Sequence, residues 1–204
     1  MNRNLRAKVA REAALLLYQG LEKEYKTAKE KAAETLGIRI LPSNLEIAME
    51  LDELADELEG SERKEAVVRH RRTALKLMVL LEEFHPKLIG SVWRGTAYKK
   101  SDIDILTFTH GPQAVVDKLQ ESGFKNFRTE WRKKLKNNRV KNFFHIYLSL
   151  PEGYEAEIIV RRQEDLNLKE KCDIYSDVIS GLTAIQLKEV LDKDPLMKFL
   201  PKGK

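Results

Sequence analysis

The chain has one cysteine, Cys172, in 204 residues, so no intramolecular disulfide can staple it. It has four histidines and no CxxC or HxxxH spacing, which leaves no zinc signature. Its apolar runs are short: residues 13–18 and 77–81 fall far below the ~20 apolar residues that cross a bilayer. The first residues are basic, yet they lack the apolar length and small-residue site of a secretory leader. These absences exclude disulfide scaffolds, zinc fingers and helical membrane spans. The expectation is a soluble protein of a reducing cytoplasm with no membrane partner. Its length suits one domain, or a domain with an appendage, able to bury about two thirds of its unfolded surface.

Charge, by contrast, is plentiful and uneven. Residues 1–84 hold 15 Lys and Arg against 16 Asp and Glu, whereas residues 85–204 hold 22 against 16. A basic second half points to an anionic partner acting there, a nucleotide or a nucleic acid. The bias peaks over residues 125–141, where eight basic residues face one acidic residue, Glu130, with Phe124, Phe127 and Trp131 interleaved. Such a stretch can track a phosphate backbone and stack bases. It equally describes a solvated strand whose aromatics pack inward.

The hydrophobic period changes near residue 85. Residues 4–36 repeat apolar positions at helical spacing, with Gly20 marking a bend and Gly37 a stop. Ser43-Asn44-Leu45-Glu46 has the form of a capping box opening a second helix that closes near Gly60. A third helix runs from Ser61 to about Phe84, ended by His85-Pro86. Strands are then expected at residues 87–89, 103–108, 126–135, 140–150 and 154–160. A hairpin turn is expected at Lys136-Asn137-Asn138, and helices over residues 112–122 and 182–191. The expected class is α+β, with a helical N-terminal region over residues 1–85 and a mixed-sheet domain over residues 86–204.

The stretch that carries chemistry is Gly90-Ser91-Val92-Trp93-Arg94-Gly95-Thr96-Ala97-Tyr98-Lys99-Lys100-Ser101-Asp102-Ile103-Asp104. Residues i and i+2 of a strand share a face, so Asp102 and Asp104 project together. Two carboxylates aimed at one point repel unless a cation lies between them, and oxygen ligands suit Mg²⁺ or Mn²⁺. A Gly-Ser turn can cradle a phosphate with backbone N–H groups and a hydroxyl, and Arg94, Lys99 and Lys100 add positive charge. A P-loop is excluded, since Thr96-Ala97 stands where Lys-Ser/Thr is needed. A GxSxG hydrolase elbow is absent as well.

The order strand, Gly-Ser, Arg-Gly, Ser-Asp-Ile-Asp over residues 88–105 resembles the signature of the DNA polymerase β-like nucleotidyltransferase superfamily, and most of all its minimal prokaryotic members. The resemblance implies a mixed-sheet nucleotidyltransferase core using Mg²⁺ or Mn²⁺ to move a nucleoside monophosphate, AMP from ATP by analogy, to a hydroxyl of an RNA or protein acceptor. It implies Asp102 and Asp104 as catalytic metal ligands, and Gly90, Ser91, Arg94 and Ser101 as nucleotide-binding residues. It also requires a third carboxylate on a later strand. Tyr154-Glu155-Ala156-Glu157-Ile158-Ile159-Val160 supplies it, with Glu157 preferred and Glu155 the alternative. Glu157 is one methylene longer than the Asp more usual there.

The alternative to an enzyme is a catalytically silent RNA- or partner-binding module on the same fold. Arg69-His70-Arg71-Arg72 is read as a charged helix face, and Arg63 and His70, seven residues apart on one helix side, only faintly resemble the Arg-x(4–6)-His motif of the RNase toxins that pair with minimal nucleotidyltransferases. His145 and His110 are read as structural or exposed. The N-terminal helices could serve as a contact between copies, a lid or an RNA-gripping arm, and their pattern does not choose.

Overall fold

The computed structural model describes residues 2–136 and 139–201, and side chains over residues 3–133 and 142–201. The turn expected at Asn137-Asn138 lies outside the described residues. The first apolar run is split into α1 (Asn2–Gln19) and α2 (Tyr25–Leu36). Gly20 makes the break, with φ 73, a left-handed conformation that costs a residue without Cβ little. The expected capping box opens α3 (Asn44–Glu59): Ser43 N donates to Glu46 Oε2 at 2.7 Å, and Glu46 N donates back to Ser43 Oγ at 3.2 Å. Next comes α4 (Ser61–Leu80), followed by a 3-10 turn at Glu82–Phe84.

Five strands follow: β1 (Lys87–Ile89), β2 (Ile103–Phe108), β3 (Phe127–Lys136), β4 (Arg139–Ser149) and β5 (Glu155–Arg161), in sheet order β1-β2-β5-β4-β3. The β2–β5 pair is parallel and the others antiparallel, so the sheet is mixed and the fold α+β as expected. Three helices lie between or after these strands: α5 (Gly90–Arg94), α6 (Gln113–Glu121) and α7 (Ala184–Lys193). The one-turn α5 stands where the sequence suggests only a turn.

Strand alternation separates two chemistries. Ile103, Ile105, Ile146, Leu148, Ile158 and Val160 lie on the face buried under α4, α6 and α7, while Asp104, Glu157, Tyr147 and Arg128 fall on the other. Packing gathers the buried apolar residues into two clusters. One cluster, with Val9, Ala13, Leu17, Ala28, Ala32, Ile47 and Ala55, joins α1, α2 and α3. Val67, Ala74, Leu77 and Met78 of α4 belong instead to the sheet's cluster, because their apolar stripe matches the apolar sheet face. The helices that stand apart are therefore α1–α3.

Candidate active site

Register brings the carboxylates together. Asp104 on β2 pairs with Glu157 on parallel β5, and Glu157 pairs in turn with Tyr147 on β4. Side chains of register partners share a face, so Asp104, Glu157 and Tyr147 form one row, with Asp102 and Glu155 a pleat away toward the strand starts. His145 Nδ1 lies 2.6 Å from Glu157 Oε1. Glu155 is exposed and accepts a 2.8 Å bond from Ser149 Oγ. Of the two glutamates expected as candidates, Glu157 is thus the direct neighbour of Asp104.

These groups perturb one another. Burial and the charges of Glu157 and Asp102 push the Asp104 carboxyl up to about 8. As a residue Asp104 keeps partial exposure, but its carboxylate is packed against Gly90. Asp102 is raised by burial, against the relief of Lys23, and by Glu155 and Glu157. Glu157 moves the other way: burial opposes its charge, but His145, Tyr147 and Arg132 outweigh it and hold it below its ordinary value. Tyr147 is pushed up to about 12 by burial and by that carboxylate, although its hydroxyl completes no hydrogen bond of ordinary geometry.

Gly90 explains why a glycine precedes the serine. Its φ is 71, and a Cβ there would sit 2.9 Å from Asp104 Cγ and overlap Oδ2. Only a residue without a side chain lets the backbone at the start of α5 approach the carboxylate. Ser91 follows it on the wall of the cleft described below.

Two residues expected at the nucleotide also carry structural bonds, and Ser101 lines the cleft described below. The Arg94 guanidinium is 4% exposed and bonds Asp177 at 2.7 and 3.1 Å and Phe199 O at 3.0 Å. Trp93 and Tyr175 flank it at 4.4 and 4.2 Å, so it ties down the C-terminal segment. The buried Ser101 hydroxyl accepts from Tyr98 N at 3.0 Å, shaping the loop that presents Asp102.

That loop is clamped from α4. Arg63 donates to the carbonyls of Thr96 and Ala97 at 3.0 and 3.1 Å and pairs with Asp52 at 2.5 Å. Arg71 donates to the carbonyls of Val92, Trp93, Pro195 and Met197 at 2.8–3.2 Å. His70 sets Nδ1 2.7 Å from Ala66 O and Nε2 3.1 Å from Ser101 O. A neutral ring can donate from only one of them, and burial lowers its pKa despite both carbonyls. Of Arg69-His70-Arg71-Arg72, expected as a charged helix face, Arg69 and Arg72 are exposed while His70 and Arg71 are buried, as is Arg63.

Two clefts meet at the carboxylates. One, of about 490 Å³, lies between α1–α3 and the Gly90–Asp104 segment, lined by Lys23, Tyr25, Gly90, Ser91, Lys100, Asp102 and Asp104 among others. The second, about 710 Å³, lies on the β3–β4 side, lined by Arg128, Arg132, Tyr147, Glu155 and Glu157 among others. Lys23 and Asp102 line both. Sequence reasoning missed Lys23. Its signal was the glycine break at Gly20, which turns a charged stretch out of the helix and over the site. The loop below holds that turn in place: Tyr98 Oη donates to Leu17 O at 3.1 Å and Lys100 Nζ to Gln19 O at 2.8 Å.

Among the described residues no three His, Cys, Asp or Glu side chains converge into a ready-made metal cage. The donor set itself fits a hard divalent cation, being all carboxylate oxygen.

No family model matches the chain, and no curated protein matches it. Among solved structures it is similar to "Structure of Cid1 in complex with the UTP analog UMPNPP", at 17% identity over 55% of this chain and 36% of that one, TM-score 0.34. A cytoplasmic RNA terminal U-transferase is similar at 19% identity over 58% and 34%, TM-score 0.34. The Cid1 poly(U) polymerase with bound MgGTP is similar at 18% identity over 58% and 39%, TM-score 0.34. The chain spans between a third and two fifths of the length of each of these.

Proposed function

We propose that the protein is a nucleotidyltransferase, moving a nucleoside monophosphate from an NTP to a hydroxyl of an RNA or protein acceptor and releasing pyrophosphate. ATP is the donor by analogy with the minimal nucleotidyltransferases that the motif resembles. The observation that carries the reading is the register of Asp104 with Glu157, with Asp102 lining the same cleft as Asp104 and the Gly90 backbone against the Asp104 carboxylate.

Mg²⁺ or Mn²⁺ held by Asp102, Asp104 and Glu157 would neutralise charge at the reacting phosphate. In the 490 Å³ cleft Gly90 and Ser91 take the donor's phosphates by backbone N–H and hydroxyl, and Lys23 and Lys100 supply the positive charge expected of Arg94. The acceptor oxygen attacks the α-phosphorus, the bond to the bridging oxygen of pyrophosphate breaks, and the hydroxyl proton passes to water. Positioning and charge neutralisation account for most of the acceleration.

The hold of His145 on Glu157 favours a second reading, a catalytically silent RNA- or partner-binding module on the same fold. Label transfer separates the two. Wild type and Asp102→Asn/Asp104→Asn are incubated with Mg²⁺ or Mn²⁺, each α-³²P-labelled NTP, total RNA and cell extract. Label appearing with the wild type and falling about 10²–10³-fold or more in the variant is the expected result. No label from folded wild type would leave the silent module.

A further inference from the structure

Transfer requires two sites that share one reacting centre, and the two clefts meeting at Asp102 and Lys23 are so arranged. The Gly90-Ser91 side takes the donor, which leaves the 710 Å³ cleft to the acceptor. Its chemistry is specific. Arg128 Nη1 donates to Glu130 Oε2 at 2.7 Å and Arg132 Nε to Glu130 Oε1 at 3.1 Å. Both guanidinium groups lie over the Tyr147 ring, at 4.2 and 5.4 Å from its centre. One carboxylate and one ring thus gather two arginines that an extended strand would set about 13–14 Å apart at Cα. The trio carries a net positive charge, keeps its solvent exposure, and stands beside Glu157, whose carboxylate is lowered in part by Arg132.

A paired, pre-oriented guanidinium site recognises a phosphate or carboxylate. A serine, threonine or tyrosine hydroxyl on a protein has such an anion beside it only where an acidic residue is its neighbour. The 3′ end of a nucleic acid brings a phosphodiester one sugar away from the reacting hydroxyl. The strand that carries the arginines also continues into the most basic part of the chain, including Lys133 and Lys134. We infer that the β3–β4 cleft binds the 3′ end of a single-stranded nucleic acid, with Arg128 and Arg132 on the phosphodiester nearest the terminal hydroxyl. This rests on the nucleotidyltransferase reading and names its acceptor.

The test is fluorescence anisotropy with a 5′-labelled 15-nucleotide single strand, as RNA and as DNA, against an internally labelled circular strand of the same sequence. Wild type and Arg128→Ala/Arg132→Ala are compared between 50 and 300 mM salt. The inference expects the open strand to bind more tightly than the circle. It expects the variant to bind about tenfold or more weakly, with a salt slope shallower by roughly 1.4, two contacts' worth for a single strand. Equal binding of circle and open strand, equal binding by the variant, or no binding by wild type overturns it. The Mn²⁺–NTP thermal shift is read on wild type, to test the donor side, and the folding of the variant is checked by its melting temperature without ligand, which should match wild type because both arginines are exposed. Protease-sensitive label in the transfer assay would leave the nucleotidyltransferase and remove the nucleic-acid acceptor. Absence of both NTP shift and label in wild type would remove the underlying reading.

Discussion

Arg63 and Arg71 on α4 and Asp104 and Glu157 on the sheet are all charged groups partly or wholly withdrawn from water, and the protein treats them oppositely. Arg63 is 3% and Arg71 0% exposed, and each spends its N–H groups on carbonyls or on Asp52. The carboxylates face one another across a strand pair, with Asp104 raised to about 8. Saturated charge is architecture, holding the loop between α5 and β2 in one conformation. Asp104, raised by burial and by the charges of Glu157 and Asp102, is a demand for a ligand in a way that Glu157, held by His145 at 2.6 Å, is not.

The comparison breaks most visibly in the pairing of activity and stability. Asp104→Asn should abolish transfer while leaving the melting temperature equal or higher, since it removes a repulsion. A large loss of stability there would place Asp104 among the structural charges. Arg71→Ala should do the reverse, stranding four carbonyls and lowering stability by at least about 3 kcal/mol, roughly 10 °C for a chain of this size. A thermal scan within a degree or two of wild type would mean that the loop does not need its clamp.

Lys23→Ala sharpens the comparison by removing a cation that belongs to neither set. Nucleotide binding by calorimetry with Mn²⁺ should weaken by about tenfold, the loss of one charge-assisted contact, with the melting temperature unchanged. Unchanged affinity would return the phosphate role to other residues.

The smallest effect concerns His70. Its folded pKa is lowered, chiefly by burial, so the unfolded chain takes up its proton first. The neutral ring's contribution is full above the unfolded value of about 6.5 and is lost as pH falls below it. The drop in melting temperature between pH 7 and pH 5 should therefore be greater in wild type than in His70→Gln. Equal drops would assign the acid sensitivity to other groups.

Much of the fold was legible along the chain because it rests on local chemistry. The capping box at Ser43 and Glu46, the stop at Gly37 and the strand from Ile103 to Phe108 depend on neighbours in sequence, although Ile105 to Phe108 are all buried rather than alternating. The Gly-Ser and Asp-Ile-Asp spacing was legible for the same reason. α5 was not, since one helical turn has no period to detect, and the membership of α4 was not, since an apolar stripe does not name its partner.

The sequence by itself determined which carboxylates share a strand face and where glycine had to stand, because side-chain alternation and backbone conformation are properties of adjacent residues. Only the tertiary structure decided that Glu157 rather than Glu155 stands beside Asp104, that Arg94 is spent on Asp177, and that Lys23 overhangs the site. Each of these depends on register or packing between segments far apart in the chain, where burial and charge compete in ways no local pattern records.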